Sequence, residues 1–433
     1  MDLNPLAPLL KIASVFLLIV FLLRRSFQVG PALALGACAL GILFEMGPRG
    51  LFEVFWTSTT DTRSLLLMAV VSLIMILSSS MERVGLMEDL LRSVRKSFAG
   101  RPWGMVLLPA LIGLLPMPGG AYFSAPMLDG FDPARKISPA LKSFLNYWFR
   151  HIWEYWWPLF PAVLLTCTVA DLEMWRYSIS SFPITLAAVG AGLPLLARLP
   201  DDLVQSAGEP SSQRPEGSLW NGFLPILIAI VPGVFLSPLA DWAGCGTLLG
   251  ALPRESGILV GLGAAVLWIW TRGGLRWRDL GAVAMDPKMP RMWLTVAGVL
   301  IFKGAMEYSG AALQVSHSLI GLKVPLAGVA VLLPLIVGLI SGLPIAFVGT
   351  CVPILLSMLE AMGLIHMKLA WVILSFVSGF VGSLLAPTHL CLILSNEYFG
   401  APWGAVYRHL WLPALLLLVG GISHFLLLEH ILQ

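Results

Sequence analysis

The segment richest in reactive side chains runs from Lys142 to Pro158, KSFLNYWFRHIWEYWWP. Lys142, Asn146, Arg150 and Glu154 recur at every fourth position, so on a helix they form one polar stripe. His151 flanks the stripe, and the other faces carry Tyr147, Trp148, Phe149, Trp153, Tyr155, Trp156 and Trp157. Two settings fit this pattern. On an interfacial helix the aromatic rings lie at headgroup level and the charges reach water. On a buried helix the stripe faces a hydrated cavity and Arg150 pairs with Glu154 at rest. In the buried setting Arg150, always protonated and forked, is the anchor for a carboxylate or phosphate. Glu154 or His151 would then carry a proton, because burial and neighbouring charge move both pKa values.

Chemistry in an apolar chain also needs free backbone groups, and four interruptions supply them. Pro116-Met-Pro118-Gly119-Gly120, followed by Tyr122 and Ser124, splits one apolar block. Ser341-Gly342-Leu-Pro344, followed by Gly349 and Thr350, splits another. Trp157-Pro158 ends the aromatic segment, and Ser383-Leu-Leu-Ala-Pro387-Thr388-His389 leads into Ser395-Asn396-Glu397. Proline removes a backbone donor and glycine permits unusual dihedrals, so a continuous helix through these points is costly. One such break reads as a kink or as small-residue packing. Four at matched positions read as paired discontinuous helices. The substrate-contacting residues expected in the first half are therefore Pro118, Gly119, Gly120, Ser124, Asn146, Arg150, His151 and Glu154. In the second half they are Ser341, Gly342, Pro344, Thr350, Thr388, His389 and Asn396. That half offers hydroxyl, amide and carbonyl oxygens, and the set near Ser383, Thr388 and Asn396 suits a hard cation such as sodium.

The elements that must position these residues follow from composition. Of 433 residues, 58% are hydrophobic and 12% charged, with a mean hydropathy of +0.85. A soluble protein carries about a quarter charged residues. The apolar residues fall in long blocks, such as Ile12 to Leu23 and Leu410 to Leu428. A spanning helix needs about 20 of them. The expectation is an all-α polytopic membrane protein of roughly 10–12 spans, in contact with the lipid bilayer. A soluble enzyme, a nucleic-acid binder and a disordered scaffold are excluded. The run ending at Arg24 and Arg25 reads as the first span, not a signal peptide. The net charge of +3 sits in membrane-edge loops and concerns topology. Cys38, Cys167, Cys245, Cys351 and Cys391 form no close pair, so no disulfide framework is indicated. His151 and Glu154 fall short of the three or four ligands of a metal site, and neither a metal nor a cofactor is expected. Glu82 and Glu307 read as helix-end carboxylates, the latter paired with Lys303.

The stretch 199–219, LPDDLVQSAGEPSSQRPEGSL, reads as a polar linker between a first repeat, 1–198, and a second, 220–433. A shift of 225 positions places Met81-Glu82 on Met306-Glu307, Gly85 on Gly310 and Val106-Leu-Leu-Pro109 on Val331-Leu-Leu-Pro334. It also places Gly113 on Gly338 and Ala121 on Ala346, and Pro158 pairs with Pro387 at a shift of 229. Proline, glycine and glutamate matches are hard to obtain by chance in leucine-rich sequence. Charge orients the copies. Arg83, Arg92, Arg95, Lys96 and Arg101 follow the first Met-Glu pair, whereas the equivalent 306–323 carries one base beyond it, Lys323. Conversely, Arg272, Arg276, Arg278, Lys288 and Arg291 precede the second copy, against Glu45, Glu53 and Asp61 with two arginines in the first. Basic loops face the cytoplasm, so equivalent loops of opposite bias lie on opposite faces, and the repeats are inverted.

The strings LLPMPGGAYFSAPM, NYWFRHIWEYWWPLFP and LAPTHLCLILSNEYFGA together resemble a family of bacterial and archaeal membrane proteins catalogued as a domain of unknown function. The likeness covers nearly the whole chain. That family is grouped with the ion transporter superfamily, which includes gluconate, citrate, C4-dicarboxylate and lactate permeases. The resemblance implies inverted repeats with re-entrant hairpins, a scaffold and a moving transport part, and often a homodimer. It implies carriage of organic anions by sodium or proton symport, or by exchange. The chain lacks the Ser-Asn-Thr hairpin tip of the dicarboxylate branch, so substrate and coupling ion are not carried over. The expected function is a multi-pass inner-membrane permease for a small anionic metabolite, driven by sodium or protons through alternating access, and not an enzyme. Its rivals are a lipid or polyprenyl-phosphate translocase, which Arg150 and its aromatic collar would also suit, and a membrane-embedded acid/base enzyme using His151 and Glu154.

Overall fold

The computed structural model describes residues 6–25, 27–86, 88–89, 93, 103–114, 120–132, 134–199, 219–242, 256–275, 279, 281, 286 and 288–432. Every regular element among them is a helix. Among the described residues, six runs are long and apolar enough to cross a membrane, or seven if the pair Lys288–Tyr308 and Ala311–Gly321, bent by 65°, counts as one span. The protein is therefore a multi-pass membrane protein. Other apolar helices, Val29–Leu43, Gly104–Gly113, Pro161–Ala170 and Leu326–Ser341, have 10–16 residues, too short to cross alone. Pro118, Gly119, most of the linker, and the basic loops at 92–96 and 276–278 lie outside the described residues, except Ser93.

The elements that build the site are numbered in chain order: α1, Gly104–Gly113; α2, Gly120–Asp129; α3, Pro139–Arg150; α4, Pro161–Ala170; α5, Leu326–Ser341; α6, Pro344–Ala361; α7, Lys368–Leu385; and α8, Leu390–Phe399. The shift of 229 that pairs Pro158 with Pro387 also carries the start of α3 onto that of α7. It carries both ends of α4 onto those of α8. The packing follows the same rule. α1 lies against α3 and α5 against α7, while α2 packs on α8 and α6 on α4. Elements from the two halves of the chain thus interlock around a shared interior.

The closest backbone crossings recur as well. A Cβ on Gly113 would run into the carbonyl of Arg150, and one on Gly338 into the carbonyl of Gly379. Only glycine lets the helices approach this far. Every residue of α7 from Ala370 to Leu384 is buried, and so is every residue of α3 after Pro139. Helix α3 is therefore buried within the protein rather than laid on a membrane surface. Its start is held by Pro139 at the first helical position and by Ser138, whose hydroxyl accepts from the Leu141 N–H at 3.3 Å.

A buried ion cluster fixes the register of that start. Lys142 Nζ lies 2.7 Å from Asp129 and 2.8 Å from Asp132, in the loop joining α2 and α3. Asp132 also accepts from the N–H groups of Lys136, at 2.7 Å, and Ile137, at 3.0 Å. Burial pushes the Asp132 carboxyl up, but Lys142 and the two N–H groups outweigh it and hold it below its usual value.

Candidate functional site

Helix α3 stops at Arg150, four residues sooner than the stripe reading requires. Residues 151–156 are turns, so Glu154 leaves the helix that carries Lys142, Asn146 and Arg150. Pro158 has no N–H to donate to the Glu154 carbonyl and disfavours helix in the residue before it, so no helix runs on through it. The last turn tightens, with the His151 N–H bonded to the Trp148 carbonyl at 3.1 Å.

Where α3 ends, Gly120 at the start of α2 lies against the Arg150 guanidinium; a Cβ there would come within 2.5 Å of Nη2. Arg150 Nη1 donates to the Cys391 sulfur at 2.8 Å, and that sulfur also accepts from the Ala121 N–H. Cys391 enters the site because α7 ends at Leu385 and α8 starts at Leu390, with Pro387 in the gap. His389, just before α8, bonds through Nδ1 to the Ser383 carbonyl at 3.0 Å. The third break touches this one. Gly342 has a φ of +66°, and a Cβ on it would meet Thr388 Oγ1 at 2.7 Å and the His389 nitrogen at 3.0 Å. Both the dihedral and the close approach require glycine.

These breaks enclose a pocket of about 200 Å³. Arg150, His151 and Glu154 form one wall, with Met292 beside them. The remaining lining comes from the opening residues of three helices: Phe160 to Ala162 of α4, Leu343 to Ile345 of α6, and His389 to Cys391 of α8. None of these N-caps receives a side-chain hydrogen bond. Helix N-termini present unpaired N–H groups and the positive end of the helix dipole, so they attract anions. One buried guanidinium and three helix N-termini thus converge on the same space. Opposed to them is Glu154, whose Oε1 lies 3.7 Å from His151 Nε2. Tyr147 stacks edge-on against both imidazoles and donates its hydroxyl to the Leu384 carbonyl at 3.0 Å.

Of the residues singled out in the sequence, the pocket brings together Arg150, His151, Glu154, Gly342, Pro344 and His389. Gly120 supports Arg150 from behind. Ser341 stabilises its own break, its Oγ accepting from the Leu343 N–H at 3.3 Å. Asn146 and Asn396 do not line the pocket. They lace α3 to α8: Asn146 Nδ2 donates to Ser395 Oγ at 2.9 Å, and Ser143 Oγ donates to Asn396 Oδ1 at 2.5 Å. Asn146 Nδ2 also reaches the Ala121 carbonyl at 3.0 Å. Ser124 and Thr350 are buried and bond within their own helices. Ser383 donates to the Gly379 carbonyl at 3.1 Å, and Thr388 is exposed. Lys303 and Glu307 lie 3.5 Å apart, as their spacing suggests.

Sequence reasoning passed over Cys391 and the Phe160–Ala162 turn. The signal was present: His-Leu-Cys follows the proline break, and the 229 shift places Phe160-Pro-Ala162 on it. Among the described residues His151, His389 and Cys391 each offer a ligand atom, all within 4.8 Å of one another.

No curated protein matches the chain at a significant level. Residues 6–242 and 258–428 do match the model of a family described as "Protein of unknown function (DUF401)", which spans nearly all of the helices above, and the chain belongs to that family.

Proposed function

We propose that the protein is a secondary transporter of a small organic anion, set in the inner membrane as two inverted repeats and related to the permeases of the ion transporter superfamily. The observation that carries this reading is the convergence of buried Arg150 with the N-termini of α4, α6 and α8 on one pocket. Such a site neutralises a carboxylate or phosphate without fixing its shape. A pocket of this volume suits a metabolite of a few heavy atoms. The breaks on both sides come from matched places in the two halves, so rocking one half against the other would expose the same groups to either side. Buried Glu154 beside His151 is a place for a coupling proton: bound anion and ionised carboxylate repel, so loading the anion favours a proton on this pair. That pair favours a proton as the coupling ion, with sodium the alternative.

The test is thermal stability of the purified protein against a panel of carboxylates and phosphates, at two pH values. A ligand at a hundredfold excess over its Kd stabilises the native state by about 2.7 kcal/mol. The expected result is a rise in Tm with at least one soluble anion, larger at the lower pH and lost in Arg150→Ala. A shift that survives Arg150→Ala overturns the assignment of the anchor. A shift produced only by a lipid phosphate replaces the permease with a lipid translocase.

A further inference from the structure

His151 and His389 share a feature that anion binding does not use. The Nδ1 of each ring faces a backbone carbonyl, Tyr147 at 2.6 Å and Ser383 at 3.0 Å. A carbonyl oxygen only accepts, so Nδ1 carries the proton in both rings, and each neutral ring keeps its lone pair on Nε2. This is how proteins orient imidazoles that ligate metals: the outer nitrogen donates to a fixed oxygen and the inner nitrogen is left bare. The rings stand at 87° with centroids 4.9 Å apart, so they do not stack flat, and Cys391 lies with them. All three residues are buried and all three line the pocket.

We infer that His151, His389 and Cys391 form a binding site for a zinc-class transition-metal ion, with the pocket supplying its open coordination position. Two imidazoles and a thiolate are a donor set for borderline and soft metals, and a poor one for sodium, calcium or magnesium. The ligand atoms lie within 4.8 Å of one another. Bond lengths of about 2.1 Å to nitrogen and 2.3 Å to sulfur draw them together by about an ångström, within reach of side-chain rotation. On binding, the Cys391 S–H bond gives way to a metal–sulfur bond and one proton leaves to solvent. Arg150 then serves as an outer partner, donating to the metal-bound sulfur as it donates to Cys391 in the structure. Glu154, 3.7 Å from His151 Nε2, is placed to balance the ion's charge or to complete its shell. A divalent ion with one thiolate and one carboxylate is neutral, so Arg150 keeps its charge for an anion; anion binding and the ion are compatible, whereas the ion displaces the proton placed on the Glu154–His151 pair.

The experiment uses the full-length protein in detergent and Co2+ alone, with no organic anion, so it fails or succeeds independently of the anion test. The expected result is one Co2+ per chain, with a thiolate-to-cobalt charge-transfer band in the near ultraviolet and displacement by Zn2+. In Cys391→Ser the band vanishes. In His389→Gln the affinity falls by more than the about 10- to 100-fold that loss of an outer-shell partner costs. A monodisperse variant with serine at positions 38, 167, 245 and 351 keeps the band, because Cys391 is then the only thiol. It also secures the assignment if the ligand variants fail to fold. Wild-type protein without stoichiometric Co2+, or a band that persists in Cys391→Ser, overturns the proposal.

Discussion

Helices α3 and α7 begin at equivalent positions, pack against equivalent neighbours and are buried along most of their length, yet one carries buried charge and the other does not. Where α3 has Lys142, Asn146 and Arg150, followed by His151, α7 has Trp371, Ser375, Gly379 and Phe380 at the shift of 229. One helix position thus carries a buried guanidinium in the first half and only packing in the second. The division reverses at the next break. Phe160 and Ala162 open α4 with inert groups, whereas His389 and Cys391 open α8 with two donors. Each half supplies reactive groups where its counterpart supplies apolar ones. A single asymmetric pocket follows from a nearly symmetric frame, because two identical half-sites would place like charges opposite each other.

Breaking this comparison starts with the ion cluster at the head of α3. Lys142→Met leaves Asp132 buried without its cation, and loss of one partner of a buried pair costs about 3–5 kcal/mol. Trp371→Met, at the equivalent position of α7, removes apolar surface but strands no charge, so it should lose less. Denaturant titration of both variants decides, and equal losses would mean that the two helices are held by packing alone. The glycine crossings come next. Gly113→Ala and Gly338→Ala should each cost about 1–3 kcal/mol through overpacking. Only Gly113→Ala should also weaken anion binding, because the carbonyl it displaces belongs to Arg150. Equal binding in both variants would separate the crossing from the site. The smallest effect concerns pH. The folded Asp132 value lies below its ordinary one, so its stabilisation is complete above the unfolded value of about 3.9 and is lost as pH falls through the folded value. Asp132→Asn should be less stable near neutrality and should vary less between about pH 5 and pH 3. A melting curve with the wild-type acid dependence would assign that dependence elsewhere.

Much of this was legible in the residues. Charge scarcity and long apolar blocks dictate membrane-spanning helices, because lipid leaves backbone groups no partner but one another. Pro158, Gly342 and Pro387 announce the breaks, since missing donors and positive φ values are local properties. That Arg150, His151 and His389 lie at the breaks, where the pocket forms, could be anticipated from residue type and from position. What misled was the assumption that helical period continues through 154. Residues 151–156 are turns instead, so Glu154 reaches the pocket from a turn and not from the stripe. The partner of Asn396 was not legible: its Oδ1 accepts from Ser143 Oγ, 253 positions away, and nothing in its own segment names that residue.

By itself, then, the sequence determined an all-helical, multi-pass membrane protein with matched breaks and a charged segment in its first half, because hydropathy, proline and glycine act over short stretches of chain. Only the tertiary structure decided that Cys391 meets Arg150 and that His151 faces His389. It also decided that the first turns of α4, α6 and α8 open on one pocket. Those contacts join residues some 240 positions apart, and whether they form depends on glycine crossings and interlocked helices that bring distant segments to the same point.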